Sequence, residues 1–326
     1  MTLILNGDNV KTVLNMKDCM EIVEKAFVEQ TNGTAVMPLR TNIKPPDGLS
    51  LYMPAYLKNM GALAVKVVTA FKDNPKKFNI PTVLGKVLLQ NDKTGDVICI
   101  MDGAYLTAVR TGAASGIATK YLARKDKDQT AGVFGAGVQA KMQLWAVSEA
   151  RDISKAYVYD ISNEAVDKFI REMSIKLEID IIKAVSPDMI LEEADIICTA
   201  TSSLTPVFNG KEVKGGTHIN GIGSHTPNAR ELDTEIIVRS KLIGDSKEAC
   251  FKEAGDIMIP LEEGEIDESF FHAELGEIIT GKKDGRKTRS EITIFKSNGL
   301  AIQDAAAAKL IYEKAVEKGI GVNVEI

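Results

Sequence analysis

The feature that most constrains the fold is a glycine-containing loop in the middle of the chain. The apolar run Thr130–Phe134 leads directly into Gly135-Ala136-Gly137-Val138-Gln139-Ala140, which matches G-x-G-x-x-A between a predicted strand and a predicted helix. In this pattern the first glycine permits a tight turn, the second lets backbone amides approach a pyrophosphate, and the alanine lets the helix lie close to the strand. The N-terminus of the helix then faces the anion. We therefore expect a dinucleotide-binding βαβ unit; the alternative is a glycine-rich turn that binds nothing.

The end of the second predicted strand indicates which dinucleotide binds. Asp160 lies 25 residues after Gly135, about where a carboxylate accepts the ribose hydroxyls of an adenosine. A carboxylate there repels a 2′-phosphate, and no Arg or Lys follows before Lys168, so we predict NAD(H), with NADP(H) as the alternative cofactor. Asp160 could instead be the N-cap of a helix over Glu164–Lys176. Thr201 follows the next predicted strand at the edge where a cofactor lies, or is an ordinary polar strand end.

The rest of the chain predicts an α/β protein with a second, discontinuous α+β domain. Strands of about five residues alternate with helices beyond residue 125, which is typical of a Rossmann-type, doubly wound parallel sheet. The first 125 residues combine a helix near Lys17–Gln30 with β-branched runs that are broken by turns, so antiparallel pairing is expected there. A long alanine-rich helix from about Leu300 to Lys318 is expected to return to this first domain. The candidate strands of the parallel sheet are Thr130–Phe134, Lys155–Tyr159, Ile196–Ala200, Thr217–Gly221 and Leu242–Gly244.

Composition excludes several classes of function. Hydrophobic residues make up 44% of the chain and charged residues 26%, which is enough apolar surface for a packed core. The net charge is −5 and residues of both signs are interspersed along the chain, so the sequence shows no basic patch of the kind that binds nucleic acid. The apolar runs are too short for a membrane helix. The first residues lack a basic segment followed by a long apolar one, so we expect no secretory signal and a cytoplasmic location.

Cysteine and histidine usage predicts neither disulfides nor a metal site. The four cysteines contain no CxxC pair, and we interpret them as reduced packing residues. None of the three histidines pairs with another histidine or a cysteine at ligand spacing, so no metal site is expected. The cysteines are Cys19, Cys99, Cys198 and Cys250.

Three cations in the first domain are candidate ligands for an anionic substrate. Lys66 stands inside the apolar run Ala62–Val68, and a buried lysine must have a partner. Desolvation would lower its pKa and let it exchange a proton near neutrality. The alternative is an edge-strand lysine that points to water. Arg40 follows a proline-stiffened segment and suits bidentate anchoring of a carboxylate, unless it is a solvated surface residue. Arg110 is flanked by alanine and valine, which favours an anion ligand over a solvated charge.

Several short motifs occur in a fixed order along nearly the whole chain. They are Met37-Pro38-Leu39-Arg40, Met53-Pro54-Ala55-Tyr56, Lys66, Leu106-Thr107-Ala108-Val109-Arg110-Thr111-Gly112-Ala113, the nucleotide loop, and Ser297-Asn298-Gly299-Leu300-Ala301-Ile302-Gln303-Asp304. This ordered set resembles the ornithine cyclodeaminase/mu-crystallin family. The resemblance implies a homodimer, a nicotinamide cofactor and a discontinuous domain for substrate binding and dimerisation. We place that domain at residues 1–125 and 296–326, and the NAD-binding domain at residues 126–295.

The resemblance also implies roles for individual residues. It implies that the substrate is bound by Arg40, Lys66 and Asn298, and that the cofactor is held by Thr82, Arg110 and Ser297. Members of the family act at a C–N bond beside a carboxylate, and they include alanine dehydrogenases, cyclic ketimine reductases and ornithine cyclodeaminases.

Two departures from the family pattern narrow the expected reaction. His225 stands where ornithine cyclodeaminases have a catalytic aspartate, and it is either a proton donor or a loop histidine that caps the following helix. Leu51 stands where cyclodeaminases have glutamate, which favours a compact, apolar substrate. We predict NAD(H)-dependent reduction of a cyclic imino acid, with Δ1-pyrroline-2-carboxylate to L-proline as the leading pair and Lys66 and His225 as catalytic candidates. The alternatives are ornithine cyclodeaminase, alanine dehydrogenase, and a non-catalytic, mu-crystallin-like binding protein.

Overall fold

The structure, a computed structural model, describes residues 1–325 of the chain. Its strands are β1 (Thr2–Leu5), β2 (Ala35–Val36), β3 (Thr41–Ile43), β4 (Leu49–Leu57), β5 (Ala62–Ala70), β6 (Val83–Gln90), β7 (Val97–Asp102), β8 (Gln129–Phe134), β9 (Ile153–Tyr159), β10 (Asp180–Lys183), β11 (Ile196–Thr199), β12 (His218–Gly221), β13 (Ser240–Gly244), β14 (Phe271–Glu274), β15 (Ile292–Lys296) and β16 (Val322–Val324). Its α-helices are α1 (Gly7–Val13), α2 (Met16–Thr31), α3 (Asn74–Phe78), α4 (Gly103–Leu122), α5 (Val138–Ala150), α6 (Asn163–Lys176), α7 (Pro187–Glu193), α8 (Thr234–Val238), α9 (Lys247–Glu253), α10 (Gly255–Glu262), α11 (Leu275–Ile279) and α12 (Ala301–Glu317).

The chain divides into two compact units. The first unit combines Met1–Arg110 with the segment that begins at Leu300, and the second unit is Thr111–Gly299. The first division falls inside α4, whereas the predicted boundary after residue 125 lies beyond the end of that helix. The functions predicted for the two domains remain predictions.

The first unit is built on a mostly antiparallel sheet with the strand order β16-β1-β7-β6-β5-β4-β2, and β3 also pairs with β4. The antiparallel pairing predicted for the stretch before residue 100 is confirmed by β4 with β5, β5 with β6, and β6 with β7. The helix predicted near Lys17–Gln30 is confirmed as α2, which Asn15 caps by accepting a hydrogen bond from the backbone N–H of Asp18. The predicted C-terminal helix is confirmed as α12, which packs on α2, β4 and β5.

The second unit is a parallel sheet in the order β10-β9-β8-β11-β12-β15-β13-β14. Each pairing within it is parallel, which confirms the predicted doubly wound, Rossmann-type α/β fold. The chain enters at β8, runs outwards to β10, and returns to β11 on the other side of β8. The strand order therefore reverses between β8 and β11, which is the point where such sheets bind ligands.

Gly112 allows α4 and α5 to approach each other closely within the second unit. A Cβ atom on Gly112 would lie 2.6 Å from the carbonyl oxygen of Met142, so only glycine fits at this crossing.

Two general properties follow from the described residues. Within residues 1–325, no helix is long and apolar enough to cross a bilayer, and no cluster of His, Cys, Asp and Glu side chains could hold a metal ion. The four cysteines are buried and free, as predicted. The cytoplasmic location remains a prediction.

Candidate active site

The nucleotide loop has the geometry that its sequence predicts. Gly135 has a φ of +99°, and a Cβ atom there would lie 2.5 Å from the carbonyl oxygen of Ala200, so glycine is required. Gly137 is the N-cap of α5 and has no side chain to cap the first amides of the helix. A Cβ atom on Gly137 would meet nothing within 4 Å. The loop thus presents uncapped helix amides beside open space, where an anion can bind.

A cavity of about 750 Å³ opens beside this loop. Its lining includes the predicted cofactor residues Gly135, Gly137, Val138, Gln139, Asp160 and Thr201. The residues present fit a dinucleotide, because the buried Oε1 of Gln139 has no hydrogen-bond partner among the described residues and the first amides of α5 have no side-chain cap at Gly137. Within residues 1–325, the side chains that line this cavity include no lysine or arginine, which suits NAD(H) better than a 2′-phosphorylated cofactor.

Asp160 holds the loop in place as well as lining the cavity. Its Oδ2 accepts a hydrogen bond from the N–H of Ala136 at 2.9 Å, and its Oδ1 accepts one from the N–H of Ser162 at 2.9 Å. The N-cap of α6 is Ser162, so the alternative interpretation of Asp160 as that cap is wrong.

A buried carboxylate that the sequence did not reveal joins two loops at the carboxyl edge of the sheet. Glu231 accepts hydrogen bonds from the hydroxyl of Thr199, from the N–H of Thr201 and from the N–H of Gly223. Burial raises the pKa of Glu231, and nearby Asp256 raises it further. Glu231 therefore fixes Thr201, which lines the cofactor cavity, and Gly223, which begins the loop that carries His225.

A second buried group supports Glu231. Asp256 accepts hydrogen bonds from the N–H groups of Glu231 and Leu232, and its other oxygen lies 2.9 Å from Nζ of Lys296. Lys296 and Asp256 are both completely buried. One signal could have found Lys296, since it ends the apolar strand β15 in the way that Lys66 interrupts β5.

His225 is exposed on the loop after β12. Its Nδ1 lies 2.8 Å from the carbonyl oxygen of Gly223 and must donate, because a carbonyl only accepts. Nε2 is then the atom that can exchange a proton with a ligand. The alternative interpretation as a cap of the following helix is wrong, because Asp233 caps α8.

Ser297 and Asn298 follow β15 and are held by Asp245. Its Oδ2 accepts hydrogen bonds from the hydroxyl of Ser297 and from the N–H groups of Asn298 and Gly299. Burial raises the pKa of Asp245. The side chain of Asn298 packs near Cys250, with Oδ1 3.7 Å from Sγ.

In the first unit, Lys66 lies on the covered face of the sheet. Its register partners are Met53 and Val87, and both are buried. Lys66 itself is 2% exposed, so the alternative of a solvent-facing lysine is wrong. A buried lysine was expected to have a partner, and this partner is Asp304, whose Oδ2 lies 2.7 Å from Nζ of Lys66.

The same carboxylate binds a second cation. Oδ1 of Asp304 accepts a hydrogen bond from Nε of Arg110 at 2.9 Å, and Nη1 of Arg110 donates to Oε1 of Gln303 at 2.7 Å. Burial and the charge of Arg110 lower the pKa of Lys66 to about 8, while Asp304 opposes this shift. We call the side chains of Lys66, Arg110, Gln303 and Asp304 the cation cluster.

Arg40 and Thr82 complete the predicted set within the first unit. Arg40 is half-buried just before β3, and its charge also lowers the pKa of Lys66, which places it within electrostatic reach of the cation cluster. Thr82 lies just before β6, and its carbonyl accepts a hydrogen bond from the N–H of Phe71. The structure thus brings Arg110 together with Lys66, whereas the role of Arg110 in cofactor binding remains a prediction.

Comparison with known proteins decides the family. Residues 1–319 match the model of the ornithine cyclodeaminase/mu-crystallin family. The chain belongs to this family. The predicted membership is thereby confirmed, and so is the expectation that the resemblance covers nearly the whole chain.

Three relatives show the range of activities in this family. A Δ(1)-pyrroline-2-carboxylate reductase from Bacillus cereus is 39% identical, and the match covers 99% of each chain. The solved Δ(1)-pyrroline-2-carboxylate reductase of Thermococcus litoralis, in complex with NADH and L-proline, is 51% identical with a TM-score of 0.95 and covers 99% of this chain and 100% of its own. An archaeal alanine dehydrogenase dimer with bound NAD is 38% identical with a TM-score of 0.94, covering 100% of this chain and 99% of its own. The two solved relatives hold NADH and NAD, in line with the predicted cofactor.

Proposed function

We propose that this chain is an NAD(H)-dependent reductase that converts Δ1-pyrroline-2-carboxylate to L-proline. The observation that carries the proposal is the solved relative with 51% identity over 99% of this chain, whose structure holds NADH and L-proline. The Bacillus cereus relative carries the same name. The cofactor cavity of the second unit and the cation cluster of the first unit are the two sites that such a reaction requires.

The charges of the cation cluster suit a small anion. Lys66 and Arg110 bring two buried positive charges, and Asp304 supplies one negative charge. Buried charges are stable only when they are paired, so the cluster favours a ligand with one carboxylate. Arg40 adds a further guanidinium with the planar geometry that a carboxylate prefers.

The reaction needs a proton at nitrogen and a hydride at the neighbouring carbon. NADH, when bound, supplies the hydride that reduces the C=N bond. The protonated imine accepts that hydride at carbon and becomes the secondary amine of L-proline, so a group that protonates nitrogen accelerates the step. Lys66 holds its proton below about pH 8 and is the first candidate for this role. His225, through Nε2, is the second candidate.

A substrate comparison tests the proposed function. Purified protein is supplied with NADH and either Δ1-pyrroline-2-carboxylate or pyruvate plus ammonia, and oxidation of NADH is followed by its absorbance. A parallel reaction with ornithine and NAD measures release of ammonia. We expect the highest kcat/KM with Δ1-pyrroline-2-carboxylate and L-proline as the product. Faster, ammonia-dependent oxidation with pyruvate would show an alanine dehydrogenase instead.

We also infer that the chain forms a homodimer through the uncovered face of the first sheet. Because side chains alternate along a strand, the face opposite Lys66 presents the register-paired row Pro54, Val65, Leu88, Ile100 and Ile4. These residues are partly exposed, and an apolar row of this kind on a sheet face is typical of an interface. A related alanine dehydrogenase is a dimer. We expect light scattering to give twice the chain mass, and Leu88→Lys to give the monomer.

A further inference from the structure

We propose that Asp304 is a positioning residue of the reductase site: its two carboxylate oxygens join the ammonium of Lys66 to the guanidinium of Arg110, so that Lys66 stays charged and both cations keep a fixed separation. The inference rests on the proposed function and extends it to a residue outside the predicted substrate and cofactor sets. It follows from the geometry of the cation cluster.

The geometry is that of a bridge. One oxygen of Asp304 lies 2.7 Å from Nζ of Lys66, and the other lies 2.9 Å from Nε of Arg110. Asp304 is 1% exposed and stands in the first turn of α12. Its neighbour Gln303 takes a second N–H of Arg110, so the guanidinium is held at two points. Because an ammonium has three N–H donors and a guanidinium has five, these contacts do not use all the donors of Lys66 and Arg110.

Asp304 is the one carboxylate that acts on Lys66 within the described residues. The other charged groups that shift the pKa of Lys66 are Arg110 and Arg40. Both are cations and lower that pKa, because they disfavour the charged form of the lysine. From α2, the thiol of Cys19 faces the same cluster, but burial raises its pKa to about 12 and it stays neutral. Loss of the Asp304 charge would therefore leave three cations together, two of them almost completely buried.

The consequence for the reaction is a change in the proton held by Lys66. With Asp304 in place, the pKa of Lys66 is about 8 and most of the lysine is charged at neutral pH. Without the carboxylate, burial and the two guanidiniums act unopposed and lower that pKa further. A neutral Lys66 can neither protonate an imine nor pair with a carboxylate.

The decisive variant is Asp304→Asn, which keeps the shape and one acceptor but removes the charge. We measure kcat/KM for Δ1-pyrroline-2-carboxylate across pH. In the wild type we expect kcat/KM to fall on the alkaline side of its pH profile, with a midpoint near pH 8. In Asp304→Asn this alkaline limb should move to lower pH by about one unit or more. At pH 7 the charged fraction of Lys66, and with it the rate, should then fall about twofold for a shift of one unit and about tenfold for a shift of two units, while the Kd for NADH stays within about twofold of the wild type.

A readout without turnover uses pyrrole-2-carboxylate, a planar ring acid that cannot accept hydride. Its Kd, measured by calorimetry across pH, should show the same downward shift of the alkaline limb in Asp304→Asn. The matched control is Asp18→Asn, because Asp18 on α2 is the carboxylate that pairs with Lys314 of the same helix α12. Asp18→Asn should leave the position of the alkaline limb unchanged.

The outcomes separate the possible explanations. A lower rate in Asp304→Asn with the alkaline limb at its wild-type position would mean that Asp304 only supports the fold, and the proposal would be wrong. If Asp304→Asn does not fold, Gln303→Glu provides the reverse test, since a carboxylate on Arg110 should move the limb to higher pH; an unmoved limb would also refute the proposal. A wild-type protein that does not reduce Δ1-pyrroline-2-carboxylate would instead contradict the proposed function.

Discussion

The ammonium nitrogen of Lys66 lies 2.7 Å from a carboxylate oxygen of Asp304, and both side chains are almost fully buried. The two residues come from opposite ends of the chain, one from the middle of β5 and one from the first turn of α12. Because a buried ion cannot be solvated when its partner is removed, each residue constrains the other.

Replacing Lys66 tests whether it takes part in the reaction. We expect Lys66→Ala to lower kcat/KM for Δ1-pyrroline-2-carboxylate by roughly a hundredfold or more, because a proton donor at the reacting nitrogen contributes about that factor. The Kd for NADH, measured by fluorescence, should stay near the wild-type value. The control is Lys86→Ala on the adjacent strand, since Lys86 is 62% exposed and pairs with Asp102. Equal losses of turnover and NADH binding in Lys66→Ala would show a structural role.

The two glycines of the nucleotide loop should respond differently to the same change. Gly135→Ala places a methyl group 2.5 Å from the carbonyl of Ala200 on a backbone with positive φ, and it should lower the free energy of unfolding by about 2 kcal/mol or more. In Gly137→Ala the added methyl group has no neighbour within 4 Å among residues 1–325, so the Tm should be unchanged. Its methyl group would occupy the approach of the pyrophosphate, however, and we expect the Kd for NADH to rise about tenfold. Unimpaired NADH binding in Gly137→Ala would contradict the proposed orientation of the cofactor.

Asp160 should determine the choice of cofactor. We expect Asp160→Ser to raise the Kd for NADH about tenfold and to narrow the preference for NADH over NADPH, because the change removes the predicted ribose ligand and a charge that would repel a 2′-phosphate. Ratios of kcat/KM for the two cofactors measure this preference. Asp167→Asn is the matched control on α6, where the carboxylate pairs with Lys183. An unchanged ratio in Asp160→Ser would mean that another feature selects the cofactor.

A buried histidine should make stability depend on pH. His218 is completely buried, with Nδ1 2.9 Å from the hydroxyl of Thr293, and burial together with Arg286 lowers its pKa to about 3. In the unfolded chain its pKa is about 6.5, so below that pH the unfolded state binds the additional proton and is favoured. We expect His218 alone to lower the free energy of unfolding by about 2 kcal/mol when the pH falls from 7 to 5.

The variant His218→Asn isolates this contribution, since asparagine can keep the bond to Thr293 but does not titrate. Denaturant unfolding of both proteins at several pH values gives the free energy of unfolding as a function of pH, and the two slopes are then compared. The raised pKa of Glu231 contributes with the opposite sign, but it is common to both proteins and cancels. Parallel pH profiles for the wild type and the variant would contradict the assignment to His218.

Much of the fold follows from patterns in the sequence. The strand, loop and helix around Gly135 are local, so their spacing alone predicts them, and the alternation of strands and helices predicts the parallel sheet. The edge strands β10 and β14 were not predicted. They are four residues long each, and the charged residues within them interrupt the apolar pattern that marks a strand.

The candidate site was predicted only in part, because pairing between distant residues leaves no local pattern. The burial of Lys66 could be predicted from its apolar neighbours, but its partner could not, since Asp304 looks like an ordinary acidic residue in the first turn of a helix. Glu231 and Asp256 were missed for the same reason. Arg230 and Leu232 flank Glu231, and Gly255 and Ile257 flank Asp256, but only the folded chain shows that both carboxylates bind backbone amides.

The split of the first unit has a consequence for biosynthesis. Lys66 is translated early, whereas Asp304 follows roughly 240 residues later. At ribosomal rates of about 5 to 20 residues per second, that interval is on the order of 10 to 50 seconds. During that interval Lys66 lacks the carboxylate that pairs with it in the folded chain, while the contiguous segment Thr111–Gly299 is completed. We expect the nucleotide-loop unit to fold first on the ribosome, and the amino-terminal segment Met1–Arg110 to depend on chaperones until α12 has been released.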